Sequence, residues 1–271
     1  VKAISLPGAQ EGLKFYLLPD FGKVKEAGIA NVVFAALGQS FFTLSIGIGA
    51  IAIFGSYIDK KRRLPGEAIW ICVLDTSVAL VAGLIIFPSC FAFGVDPGAG
   101  PQLIFVTLPN VFNSMGGGRF WGALFFLFMT FAAVSTVIAV FQNIISFAMD
   151  LTECSRKKAV LINIVVVILL SMPCVLGFNV LSGFQPLKPG NTIMDLEDFV
   201  LSNNLLPLGS MVYLMFCTFK KGWGWKNFSA EANTGVGLGI SNKLRFYMSY
   251  ILPIIVFVIF IWGYYEMFFM K

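Results

Sequence analysis

The sequence predicts an all-α integral membrane protein, and two observations carry that prediction. Of the 271 residues, 58% are hydrophobic and only 12% charged, with a mean hydropathy of +0.84. A soluble domain carries about a quarter charged residues. In addition, the 30 residues between Arg119 and Asp150 contain no Asp, Glu, Lys or Arg. About 20 suffice for one helix to cross a bilayer core. Backbone amides in lipid must be satisfied internally, so such runs form helices, and the alternating pattern of a membrane barrel is absent.

Uncharged or nearly uncharged runs occupy residues 27–58, 68–95, 120–149, 159–187, 199–219 and 246–265. Each is long enough to cross ~30 Å at about 1.5 Å per residue. The predicted order is an external loop over 1–28, a broken transmembrane helix over 29–57, and a helix over 68–94. An external loop with short helices follows over 95–118, then helices over 119–150, 157–182, 194–219 and 244–268. The polar stretch 1–28 has no initiator Met and no signal peptide. It reads as a loop that follows something, so the chain is expected to be the later part of a longer protein. The apolar patch Leu103–Val106 lies between Gly/Pro breaks and suits a short helical cap or re-entrant hairpin. Trp223 and Trp225 sit where an interfacial aromatic belt is expected.

Charge sets the orientation. Twelve of the 19 Lys and Arg residues fall in the three loops 59–67, 151–158 and 220–245, and seven on the opposite side. The positive-inside rule makes those three loops cytoplasmic. The same clustering explains the net charge of +5 better than nucleic-acid binding does. There is no histidine, which excludes Ser-His, Cys-His and His-ligated metal chemistry. The five cysteines form no Cys-x-x-Cys pair, and four lie in apolar runs as small hydrophobes. No enzyme is implied.

Three signals point to a solute site. The first run reads Gln39-Ser40-Phe41-Phe42-Thr43-Leu44-Ser45-Ile46-Gly47-Ile48-Gly49-Ala50, with Thr43 and Ser45 just before a Gly-x-Gly pair. An unwound segment there frees carbonyls suited to Na⁺, and the next half-helix offers its N-terminus to a carboxylate. A helix-packing notch is the alternative reading of the same glycines. Asp75 lies within the second run, and intramembrane carboxylates usually face a cavity or a cation. Its alternative is an interfacial position, snorkelling toward Lys60–Arg63. The third signal is the hydroxyl run Thr130, Ser135 and Thr136. Together these residues have the hard oxygen character that Na⁺ requires.

The stretch from Gln39 to Gly49 followed by Gly55-Ser56-Tyr57 resembles helix 6 of the neurotransmitter:sodium symporters, most closely bacterial amino-acid transporters of the LeuT-type fold. Agreement continues through Asp75, Gly83 and Pro88, Thr107-Leu108-Pro109 and Gly116-Gly117, Ala132 to Gln142, Asp150, and Asp198-Phe199. Broken helices and inverted repeats are established properties of that family. The resemblance implies a partial LeuT-type fold covering helices 6 to 11. It matches Thr43 and Asp75 to ligands of a first sodium site, and the Ala132 carbonyl, Ser135 and Thr136 to a second. Phe42, Thr43, Ser45, Ile48, Thr136 and Val140 match the wall of the amino-acid pocket. Asp198 matches an outer gate, and Asp150 with its neighbour Tyr57 an inner one.

Two departures sharpen the expectation. Animal members carry Asn at the position of Asp75 and use chloride to balance sodium charge, so a fixed carboxylate predicts chloride independence. Ile48 replaces a bulkier Phe, which favours a larger hydrophobic or aromatic substrate. The third departure is length: helix 1 of the family, which completes both sodium sites and the substrate site, is missing, as are the basic partners of Asp198 and Asp150. The expectation is therefore sodium-coupled symport of an amino acid across a bacterial cytoplasmic membrane. Its partners are the substrate, membrane lipid and the missing N-terminal helices, with Na⁺ as coupling ion and no organic cofactor. The alternative is a truncated, non-transporting membrane subunit or scaffold.

Overall fold

The computed structural model describes residues 6–94, 96, 104–105 and 108–269. Nearly all of them are helical. Five helical stretches are long and apolar enough to cross a membrane: α5 (Leu64–Ala92), α7 (Gly118–Thr152), α8 (Arg156–Gly177), the combined stretch Ile193–Thr218 and the combined stretch Leu244–Phe269. Most of their apolar surface is exposed, as in helices that face lipid or further helices. The two combined stretches contain π-helical turns. Ile193–Thr218 consists of α9 (Ile193–Asp198), a π segment (Phe199–Leu205) and α10 (Leu206–Thr218). Leu244–Phe269 consists of α12 (Leu244–Phe246), a π segment (Tyr247–Ile251) and α13 (Leu252–Phe269). The first π turn is stabilised by Asn204, whose Nδ2 donates to the Phe199 carbonyl (3.1 Å). The Tyr264 hydroxyl of α13 in turn donates to Asn204 Oδ1 (2.6 Å).

The chain divides into two compact units, residues 1–29 with 71–137, and residues 30–70 with 138–271; α5 and α7 contribute to both. In the first unit, the region predicted as a loop holds two helices, α1 (Ala9–Leu17) and α2 (Phe21–Ala27). Tertiary packing accounts for α1. Its inward face is Ala9, Gly12, Leu13 and Tyr16, the spacing of an amphipathic helix, but at nine residues it is too short to read as a membrane span. Tyr16 lies across Gly83 with its hydroxyl 3.4 Å from the Ala79 and Leu80 carbonyls. Asp20 caps α2 by accepting from the Gly22 and Lys23 amides (3.0 and 3.2 Å). α6 (Leu108–Ser114) buries Leu108 and Val111 and sets Phe112 against Phe125 and Phe126. Of the apolar patch Leu103–Val106, only Ile104 and Phe105 are described, as a π turn; Leu103, Val106 and Thr107 lie outside the described residues.

In the second unit, α3 (Ile29–Thr43) and α4 (Ala50–Ser56) share the first apolar run, separated by six non-helical residues. α10 packs on α13, and Phe199 stands edge-on to Tyr264 and Phe268. The helix predicted over 157–182 ends at Gly177, and residues 178–183 continue as turns. The Asn179 side chain accepts from the following backbone amide, a local bond that competes with helix. Trp225, expected in an interfacial belt, is instead 6% exposed within α11 (Trp225–Ala232), its indole N–H donating to Asn242 Oδ1 (3.0 Å).

Candidate ion and substrate site

The break between α3 and α4 follows from residues that tolerate left-handed backbone. Ser45 has φ +49°, Gly47 +94° and Gly49 +87°. Three turn bonds stop α3: Leu44 N–H to the Ser40 carbonyl (3.3 Å), Ser45 N–H to Phe42 (3.0 Å) and Ile46 N–H to Phe41 (3.0 Å). Among the described residues, no side chain donates to the carbonyl oxygens of 43–47, and the turn running to Gly47 engages them with no well-formed backbone bond. Those are free backbone acceptors in a chain stretch otherwise suited to membrane, where such groups require a partner.

Two neighbours fix the break. A Cβ on Gly47 would stand 2.7 Å from the Ser210 nitrogen, and one on Gly209 would stand 3.0 Å from the Gly47 carbonyl carbon. Gly47 and Gly209 therefore bring the two backbones into direct contact, which a side chain on either would prevent. From α7, Asn143 Nδ2 donates to the Ile48 carbonyl (2.9 Å).

Phe42 and Asp198 line one cavity of about 380 Å³, together with Gln39, Ser202, Asn203 and Glu266. Phe34 stacked on Trp262 (4.8 Å between ring centres) forms its apolar side. Ser202 donates to Asp198 Oδ1 (2.7 Å), which leaves the second carboxylate oxygen for a ligand or gate partner. Ser45 lines a separate, mainly apolar cavity with Tyr213 and Cys217. The Thr43 hydroxyl sits 3.5 Å from the Ser40 carbonyl at the end of α3, and Val140 is exposed on α7.

Near the other end of α4, Tyr57 accepts from Gln142 Nε2 (2.9 Å), which also donates to Ser146 Oγ (3.1 Å). Arg156 Nη2 donates to Gln142 Oε1 (2.8 Å), so a donor-only guanidinium sets the orientation of that amide. Asp150, exposed near the end of α7, forms no ion pair among the described residues.

In the first unit, α7 presents three oxygens at one point. Ser135 Oγ donates to the Ala132 carbonyl (2.7 Å) and Thr136 Oγ1 lies 3.3 Å from it. Both residues are exposed, and a hydroxyl that donates still has lone pairs to offer. Asp75 is half-buried on α5. Among the described residues no group of three His, Cys, Asp or Glu could hold a metal ion. What is on offer is neutral oxygen with single carboxylates, the donor set of a hard monovalent cation rather than a transition metal. Sequence reasoning passes over Asn143 and Arg156 and includes Gln142 only as the end of a matching stretch. Two adjacent amides inside a 30-residue uncharged run were the available signal.

A model of the "Sodium:neurotransmitter symporter family" matches residues 1–269. An "Uncharacterized sodium-dependent transporter" of Haemophilus influenzae is 33% identical over 263 residues, covering 96% of this chain and 55% of that protein. The "Uncharacterized sodium-dependent transporter YhdH" of Bacillus subtilis is 32% identical over 266 residues, covering 96% and 56%. The crystal structure of MhsT in complex with L-phenylalanine matches with a TM-score of 0.84 and 37% identity, covering 97% of this chain and 58% of MhsT. The chain thus spans a little over half the length of each of these three relatives.

Proposed function

We propose that this chain, which belongs to the sodium:neurotransmitter symporter family, carries one share of the sites of a sodium-coupled amino-acid symporter. The family is one of transporters, not enzymes, and the protein is a multi-pass membrane protein. The observation that carries the reading is the break at 44–49, with its unpaired carbonyls beside Thr43. Unwound carbonyls at membrane depth are how this transporter architecture coordinates its coupling ion.

In this reading Thr43 and Asp75 serve one sodium ion, and the Ala132 carbonyl, Ser135 and Thr136 a second. Phe42, Thr43, Ser45, Ile48, Thr136 and Val140 face the amino acid. The remaining ligands come from helices that the relatives carry outside the matched region, because this chain covers 55 to 58% of their length. Sodium binds to the freed carbonyls, orders the break and lowers the cost of binding the zwitterion, a coupling that is reciprocal by thermodynamic necessity. The ion gradient and the membrane potential, about 2.3 kcal/mol per charge per 100 mV, then drive accumulation. Asp198 closes the outer side; Asp150 and Tyr57 close the inner.

The substrate is a hydrophobic or aromatic amino acid. Ile48 supports this by its size, and MhsT, solved with L-phenylalanine, is a relative of the same architecture. Asp75 supplies a fixed negative charge, so chloride is not required. The test is uptake of labelled phenylalanine and leucine by the intact protein in proteoliposomes. Uptake should follow an inward Na⁺ gradient with or without chloride. Uptake that persists with choline in place of Na⁺ would overturn the coupling.

A further inference from the structure

Residues 59–63 and 233–240 form a small rigid knot at the start of α5. Arg62 and Val236 pair as a parallel β-bridge; the Arg63 N–H donates to the Val236 carbonyl (3.3 Å) and the Val236 N–H to Lys61 (3.0 Å). Arg63 turns its guanidinium into the loop. Its Nε donates to the carbonyls of Asn233 and Gly235 (3.0 and 3.1 Å), and Nη1 to Gly237 (3.1 Å). Gly235 has φ +95°, and a Cβ there would stand 2.6 Å from the Lys60 carbonyl oxygen, so only glycine fits. Asn233 closes the knot on both backbone groups of Ile240 (2.7 and 3.0 Å).

One of four consecutive cations is thus spent on holding the loop. The other three point outward, each beside one carboxylate: Lys60 and Glu231 (3.2 Å), Lys61 and Asp59 (2.9 Å), Arg62 and Glu67 (3.3 Å). Lys60, Lys61 and Arg62 are well exposed, so water competes with these contacts and they contribute little that a stronger anion would not replace. Over the two loops, nine Lys and Arg face only Asp59, Glu67 and Glu231.

Beside this knot lies a cavity of about 460 Å³ with two unlike walls. One holds Lys61, Arg62 and Arg63, with the Glu67 carboxylate beside Arg62. The other holds Trp70, Val236 and Leu238, which are 61%, 83% and 63% exposed. Exposed apolar side chains next to exposed cations, at the first turns of a membrane-length helix, match the boundary between headgroups and acyl chains. We propose that this cavity binds an anionic phospholipid of the surrounding bilayer. Lys61 and Arg62 hold its phosphate, and an acyl chain leaves along Trp70 and Leu238. A soluble phosphate would use the cations but leave the apolar wall wet; a lipid satisfies both walls.

The intact protein in neutral detergent is given equimolar phosphatidylglycerol and phosphatidylcholine with the same acyl chains. Retained lipid is then counted by mass spectrometry of the protein–lipid complexes. Wild type should favour phosphatidylglycerol by roughly 30-fold, as expected for two interfacial cations at about 1 kcal/mol each. Lys61→Ala with Arg62→Ala should bring the ratio near one, and Lys61→Arg with Arg62→Lys should keep it; Arg63 is untouched, so the knot persists. Val236→Ser with Leu238→Ser should lower retention of both lipids several-fold. Equal retention by wild type overturns the proposal without any variant. An unchanged ratio in the double alanine variant also overturns it, as does displacement of the lipid by an equal concentration of glycerol phosphate, which would make this a soluble-phosphate site.

Discussion

Replacing Gly209 by Ala tests whether the break is held by direct backbone contact. The added Cβ would stand 3.0 Å from the Gly47 carbonyl carbon and 3.2 Å from its Cα, and closer still to the carbonyl oxygen. Carbon atoms pack best at about 3.5–4.0 Å, so the backbones must part by roughly half an ångström or more. Neither partner is the end of a flexible side chain, and such overpacking costs about 1–3 kcal/mol. Opposing this, Ala gains up to about 1 kcal/mol over Gly within a helix such as α10. Gly55 of α4 provides the matched control, because a Cβ there meets nothing within 4 Å. Gly55→Ala should therefore stabilise by about 0.5–1 kcal/mol. The two variants should lie about 1–3 kcal/mol apart, or several degrees in thermal midpoint at roughly 2–4 °C per kcal/mol. The assay is thermal unfolding of the intact protein, paired with Na⁺-dependent substrate binding. Gly209→Ala should lose both stability and sodium affinity, whereas Gly55→Ala should lose neither. Equal midpoints and equal sodium affinity would refute the contact.

Asn143→Leu removes the donor to the Ile48 carbonyl at similar volume. The stranded acceptor should cost about 1–3 kcal/mol, read as a lower midpoint and weaker sodium-dependent binding; an unchanged protein would show that water or another group serves that carbonyl. Asp75→Asn should abolish uptake or make it chloride-dependent, and chloride-free uptake at the wild-type rate would remove Asp75 from charge balance. Ile48→Phe should shift preference from aromatic toward smaller aliphatic amino acids, measured by competition for uptake; an unchanged order would take Ile48 out of the pocket wall.

Much of the fold is legible in the sequence because lipid imposes one rule on every segment: a helix must be apolar for about 20 residues. The five long stretches follow from that, and the break follows from two glycines and two hydroxyls in a run that otherwise has no reason to stop. Three features escape the same rule. α1 packs through Ala9, Gly12, Leu13 and Tyr16, an amphipathic stripe of only nine residues that a search for membrane-length apolar runs passes over. The π turn at Phe199–Leu205 depends on Asn204 meeting Tyr264, 60 residues away. Trp225 is drawn inward by Asn242, a partner that composition does not reveal. At the site, hydroxyls and a lone carboxylate stand out against apolar sequence, whereas Asn143 matters only through one distant carbonyl.

The two supports of the break differ in kind, and that difference assigns them different work. The contact between Gly47 and Gly209 is steric, backbone against backbone. The bond from Asn143 to Ile48 is directional and breaks with a small rotation. Since Ile48 already has a donor and the Gly47 carbonyl packs against Gly209, the backbone oxygens left for a cation at the break are those of 43–46, on the α3 side. If sodium binds at the break as proposed, part of the ordering cost is met before it arrives, and its binding energy goes into positioning Thr43 and its neighbours. A break held on one side by shape and on the other by a single amide can be stable at rest and still respond to one ion. Gly209→Ala should thus impair the site at every sodium concentration, while the binding defect of Asn143→Leu should be relieved by saturating sodium. A sodium-insensitive defect in Asn143→Leu would place both supports in the same rigid scaffold.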